Sequence, residues 1–185
     1  MAKILIACGH DNYGNGGCVN PKYGTEQQYT REFSKTLTKS LREKGHTVTV
    51  FNVYHTSRSL YTCLSRNMID KNNLKKYDYI IELHFNAGVN DKKGNGRITG
   101  TEILITKENG DEDMIRRILS SLNHIGLKSR GIKYRTDLYN MNICKRLGVK
   151  YMLWEVCFMD DEDDMQFYIM YKDLIAVTFS EYFKI

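Results

Sequence analysis

YDYIIELHF, Tyr77 to Phe85, is the stretch that decides the architecture of this chain. Successive side chains of a strand point to opposite faces, so Ile80, Glu82 and His84 share one face while Ile81, Leu83 and Phe85 share the other. Apolar residues on both faces describe a strand covered on both sides, which is the habit of a parallel sheet between helices. Three further runs read the same way: Lys3 to Cys8 (KILIAC), Thr101 to Thr106 (TEILIT) and Tyr151 to Cys157 (YMLWEVC). His46 to Val53 (HTVTVFNV) alternates as a half-buried strand should.

Helical patterns fill the intervals. Thr25 to about Lys44 is one, stopped by Gly45; Leu60 to Asn73 and Asp111 to about Gly126 are two more. The acidic run Asp160 to Asp164 opens a pair of short helices that finish at Phe183. Strands alternating with amphipathic helices predict an α/β fold, a largely parallel sheet flanked by helices. With 185 residues, no repeat and no linker, positions 1–185 are expected to form a single domain.

Composition narrows the class. A 42% hydrophobic and 26% charged content belongs to a folded globular chain, not a disordered one. The net charge of +5 favours anionic surfaces without choosing among nucleic acid, membranes and wall polymers. No basic stretch carries interleaved aromatics, so no nucleic-acid partner is expected. No run approaches the ~18 apolar residues of a membrane span, and the apolar start MAKILIAC is too short for a signal peptide. Five scattered cysteines without a C-x-x-C pair read as buried thiols. His46, His55 and His124 fall near turns or on a helix surface and are expected to be solvated.

Chemistry gathers where strands end. His10 lies just past the carboxyl end of the first strand, His84 near that of Tyr77 to Phe85, and Glu155 late in Tyr151 to Cys157. Open α/β sheets build their sites along that edge. At ~100° per residue, Glu26 projects onto the middle of the apolar stripe formed by Tyr29, Phe33, Leu37 and Leu41, whereas Glu32 falls about 120° away. A carboxylate aimed at a core requires a partner or a metal. Two histidines and an inward glutamate match the His₂Glu set of catalytic zinc sites, and Glu82 is then a candidate acceptor for the other ring nitrogen of His84. Blander readings stand beside this one: His10 as a hydrogen-bonding residue, Glu26 as a cap of the first helical turn, Glu155 as the partner of an arginine. The run DDEDD lacks the spacing of a calcium loop, and GHDNYGNGG, His10 with its neighbours, lacks that of a nucleotide loop.

Taken in order, Gly9-His10 after a strand, Glu26 opening a helix that ends at Gly45, IELHFNA with His84 and Asn86, GTEILI at Gly100 to Ile105, and MLWEVCF with Glu155 form an ordered set. That set resembles the zinc-dependent N-acetylmuramoyl-L-alanine amidases, the catalytic domains of phage endolysins and bacterial autolysins. The resemblance runs from about Lys3 to Phe183. It implies a phosphorylase/hydrolase-like fold, zinc (Zn²⁺) held by His10, Glu26 and His84, and Glu155 as the catalytic glutamate. It also implies bacterial peptidoglycan as substrate, cut between the lactyl group of N-acetylmuramic acid and L-alanine. The start too short for a signal peptide leads to the expectation of a protein made in the cytoplasm that acts on the wall after release, with phage lysis the expected setting. The chain departs from the family pattern at Asp11-Asn12 and in the Trp154, Val156 and Cys157 that surround Glu155. A zinc peptidase for another amide and a non-catalytic wall-binding module on an amidase scaffold are the alternative functions. A flavodoxin-like domain would have no use for an inward Glu26.

Overall fold

A computed structural model describes residues 1–11, 16–51 and 58–183. The chain enters through strand β1 (Lys3–Cys8), forms a small antiparallel pair β2 (Val19–Asn20) and β3 (Gly24–Thr25), and continues into helix α1 (Glu26–Glu43). Strand β4 (Thr47–Phe51), helix α2 (Leu60–Ser65) and a 3₁₀ turn (Lys71–Lys76) lead to β5 (Tyr79–Asn86). Strand β6 (Thr101–Ile105), helix α3 (Glu112–His124), strand β7 (Ser129–Tyr134), helix α4 (Tyr139–Leu147), strand β8 (Lys150–Phe158) and helix α5 (Glu162–Ser180) complete it.

Six strands make one sheet in the order β4-β1-β5-β8-β6-β7. Every pairing is parallel except that of β6 with β8. Apolar residues on both faces require two covering layers, and both are present. Phe33 and Leu37 of α1, Ile118 of α3 and Phe179 of α5 pack with Ile6, Ile81 and Trp154 on one face. Leu60 and Leu64 of α2 and Met141 and Cys144 of α4 pack with Leu5, Ile80 and Leu153 on the other. From β1 the chain moves outward to β4, then returns to the opposite side of β1 as β5. The carboxyl ends of β1 and β5 therefore flank the point where strand order reverses, the usual position of a crevice.

Expectation and structure differ in several elements. The helix expected over Leu60 to Asn73 ends at Ser65, because Asn67 takes a left-handed φ of 52° and a separate 3₁₀ turn follows. β7 and α4 were not legible as elements: SRGIKY is a charged edge strand, and α4 is a short helix with no side-chain cap at its start. His46 is not solvated; it is 5% exposed, accepts a hydrogen bond from Ala2 N on Nδ1 and packs edge-on against Phe183. His124 is exposed as expected, and His55 lies outside the described residues. The pair of short helices expected from the acidic run onward is present: α5 is two helices that meet at a kink at Tyr171 (φ −123°, ψ 17°).

The acidic run does more than start α5. Asp160 accepts from Gly88 N and Asn90 N, Asp163 from Asn95 N, Gly96 N and Arg97 N, and Asp164 from Thr99 N, Gly100 N and Phe158 N. The run thus holds down the polar loop between β5 and β6, next to the sheet edge where His84 sits. Asp164 is fully buried, so Asp164→Ala would strand several backbone donors at once. Each such loss costs about 1–3 kcal/mol, so the variant is expected to lose about 3 kcal/mol or more in urea unfolding. A loss under about 1 kcal/mol would mean that the loop finds other acceptors.

Candidate metal centre and catalytic site

β1 delivers Gly9 and His10 to the crevice. Gly9 N donates to Leu83 O at 2.9 Å, and the His84 ring lies so close over Gly9 that an added Cβ would stand 2.6 Å from its Cε1. Only glycine fits there. The next residue, His10, adopts φ 62°, and its carbonyl accepts from Arg31 Nη2 at 2.9 Å while Arg31 Nη1 also reaches Gly9 O. Arg31, in α1, therefore fixes the backbone that presents His10.

Glu26 is the first residue of α1 and is 4% exposed, as its place on the apolar stripe requires. It does not cap the helix; Thr25 does, accepting from Gln28 N in a reciprocal capping box. One oxygen of Glu26, Oε2, accepts from Cys18 N at 3.0 Å and lies 3.0 Å from His10 Nε2. The other accepts from Phe85 N at 3.0 Å and lies 2.9 Å from His84 Nδ1. The donor atoms of His10, Glu26 and His84 all fall within 4.8 Å of one another. Ligand atoms about 2.0–2.1 Å from one tetrahedral zinc stand roughly 3.3 Å apart, and the Glu26 contacts to His10 and His84, at 3.0 and 2.9 Å, are near that spacing, so these residue types could hold such an ion.

Behind His84 lies a second carboxylate. Glu82, two residues back on the same strand face, meets His84 Nε2 at 3.2 Å through Oε1. Its Oε2 accepts from Asn140 Nδ2 at 2.7 Å and Tyr151 OH at 2.6 Å. Burial pushes the Glu82 pKa up, but His84, Asn140 and Tyr151 together bring it below the ordinary carboxylate range. Burial likewise opposes the charge on His84, yet Glu26 and Glu82 raise its pKa well above that of a free imidazole. For Glu26, burial is outweighed by hydrogen bonds from both histidines, and its pKa falls far below the usual value. Glu82→Gln removes the acceptor that orients His84 and is expected to weaken metal binding by about 10- to 100-fold. Competition with a chromophoric chelator measures this, and unaltered affinity would dismiss the orienting role.

Glu155 stands on β8 in register with His84 on one side and Glu102 on the other, all three on the same sheet face. Its Oε2 is buried without a hydrogen-bond partner among the described residues. Burial raises its pKa to about 7; His84 pulls the other way, while Glu26 and Glu102 push further up. The arginine that Glu155 was a candidate to pair with belongs instead to Glu102, which takes Arg130 Nε at 2.9 Å and Asn86 Nδ2 at 3.1 Å. A carboxyl poised near neutrality, with no cation paired to it among the described residues, suits proton transfer.

Two departures from the expected pattern have structural explanations. Asp11 accepts from Ser59 N and, at 2.8 Å, from Thr62 Oγ1, fastening the start of α2 to the sheet edge. Trp154 faces away from Glu155, stacked 3.9 Å from Phe179, with its indole N–H on Thr101 Oγ1 at 2.7 Å. Arg31, Glu102, Arg130, Asn140 and Tyr151 were not singled out from sequence, because their roles depend on which strand or helix lies beside which.

Fold and site together define an α/β domain with a His-Glu-His cluster that could hold a metal ion and a buried carboxyl beside it, along the carboxyl edge of its sheet. The chain belongs to the N-acetylmuramoyl-L-alanine amidase family, whose description matches residues 4–178. It is 27% identical to a probable autolysin of Staphylococcus aureus over 94% of this chain, and spans 37% of that longer relative. Among solved structures, it is similar to the catalytic domain of an endolysin targeting Clostridia Difficile, with a TM-score of 0.73, 26% identity and coverage of 98% and 96% of the two chains. An N-acetylmuramoyl-L-alanine amidase from Clostridium difficile shares the fold, with a TM-score of 0.73, 20% identity and coverage of 97% and 93%.

Proposed function

We propose that this chain is a zinc-dependent peptidoglycan amidase that cleaves the amide between the lactyl group of N-acetylmuramic acid and L-alanine. The observation that carries the reading is the convergence of His10, Glu26 and His84, with a buried Glu155 nearby whose Oε2 has no hydrogen-bond partner among the described residues. Family membership and the likeness to an endolysin catalytic domain support the choice of substrate and a role in wall lysis.

In this reading His10, Glu26 and His84 hold the zinc. When bound, zinc lowers the pKa of a coordinated water towards ~7 and polarises the scissile carbonyl. Glu155 takes a proton from the attacking water and hands it to the departing amine nitrogen, a role worth ~10²- to 10⁴-fold. Glu82 holds Nε2 of His84 so that Nδ1 stays beside Glu26 and would be free to take the metal, and Arg31 keeps the His10 backbone in place.

The test is digestion of purified peptidoglycan followed by labelling of new amino termini. Free amino groups on alanine of the stem are expected; termini at other residues would assign a peptidase, and none at all a non-catalytic domain. Treatment with 1,10-phenanthroline should abolish the release, and added Zn²⁺ should restore it. Activity indifferent to the chelator would refute the metal assignment.

A further inference from the structure

The amidase reading leaves open how the two halves of the substrate, sugar and peptide, are laid across the metal centre. On one side of His84 a cavity of about 410 Å³ opens between α2 and α4, with His10, Glu82 and His84 in its wall. That volume lies in the range of ligand cavities. Tyr61 at the start of α2 and Tyr139 at the start of α4 form its lip, ring centroids 5.8 Å apart and edge to face. They are 53% and 40% exposed, although tyrosine rings are large enough to be well covered when nothing else is asked of them. Among the described residues the carboxylates Asp11 and Asp137 accompany them on this side with His10, Glu82, His84 and Tyr151, and Asp137 is ion-paired with Arg135 at 2.6 Å.

The opposite side differs in character. Beyond Glu155 and Glu102 on the same sheet face come Arg130 and Lys133 of β7, at 2.9 and 3.9 Å from Glu102. Arg130 lies over the Phe158 ring and keeps 36% of its side chain exposed. Across the site, then, an aromatic wall faces one that carries two cations, both drawn to Glu102. A glycan strand offers flat C–H faces and hydroxyls, which suit exposed rings and carboxylate acceptors. A peptide bearing free carboxylates finds cationic groups on the second wall.

We infer that the Tyr61–Tyr139 cavity is a subsite for the glycan strand and that the stem peptide runs towards Arg130. The inference rests on the amidase reading for its orientation, but the subsite itself can be tested without any bond being cut.

The probe is the neutral tetramer of N-acetylglucosamine, which has no stem peptide. Added to the intact protein, it is expected to shift the ring resonances of Tyr61 and Tyr139. Tyr61→Ala and Tyr139→Ala should each weaken its binding by roughly tenfold. Tyr61→Leu should weaken it too, since bulk without a flat ring is insufficient, and Tyr61→Trp should restore it. Arg130→Gln should leave tetramer binding as it is, while raising KM for glycopeptide. Melting curves that match the unaltered protein show that each variant folds. Failure of the tetramer to bind, affinity indifferent to both tyrosines, or ring shifts caused by a free acidic stem tripeptide in its place would overturn the inference. A protein that binds the tetramer through these rings yet cuts no wall would instead sink the amidase reading alone.

Discussion

Glu155→Gln is expected to lower amide hydrolysis by at least about 10²-fold while bound zinc remains near one ion per chain. Glutamine has the size and shape of the native side chain but can neither accept a proton from water nor pass one on. The substitution therefore separates proton transfer from metal binding. A second consequence appears in the metal-free protein. In the fold the Glu155 carboxyl holds its proton up to about pH 7, against 4.5 for an ordinary glutamate, because burial disfavours the charge. A raised acid pKa contributes stability that is complete below the unfolded value and is lost as pH climbs through the folded one. Glutamine does not titrate. The metal-free variant should thus melt progressively higher than the metal-free native protein as pH goes from about 4.5 to 8. Near-native turnover would eliminate Glu155 as the base, and a gap that ignores pH would show that its carboxyl is not held protonated.

Legibility in sequence followed from how local each feature was. β1, β5, β6 and β8 announced themselves because a strand covered on both faces leaves an unbroken apolar run, and that requirement is met within a handful of neighbouring residues. Glu26 and the Glu82–His84 pair were legible by periodicity alone, since 100° and 180° steps place them without knowledge of partners. What no period encodes is adjacency. Glu102 and Arg130 meet because β6 lies between β8 and β7, and Tyr61 meets Tyr139 because α2 and α4 cover the same face. Nor does His46 carry a local signal: its burial comes from Ala2 and Phe183, at opposite ends of the chain. The acidic run read correctly as a helix start, but its second task, holding the β5–β6 loop, is visible only once that loop is seen to fold back over it.

Glu26→Gln should weaken zinc binding by more than the roughly 100-fold that loss of a supporting group can cause, and abolish wall hydrolysis with it. The carboxylate meets four groups at once: backbone N–H of Cys18 and Phe85, and the rings of His10 and His84. An amide has one oxygen, so its NH₂ must confront donors on one side or the other. Metal-free stability should also lose a characteristic pH dependence. Glu26, with its pKa pulled down, contributes stability above about 4.5 that fades on acidification; His84, with its pKa pushed up, contributes below about 6.5 and loses it as pH rises through the folded value. Together they make the native metal-free protein most favoured over its variant between those two pH values. Calorimetry from pH 4 to 8 on both chelated proteins, with zinc titrations beside it, reads each effect separately. Parallel stability curves would mean that His84 does not depend on Glu26 for charge, and undiminished zinc affinity would remove Glu26 from the ligand set.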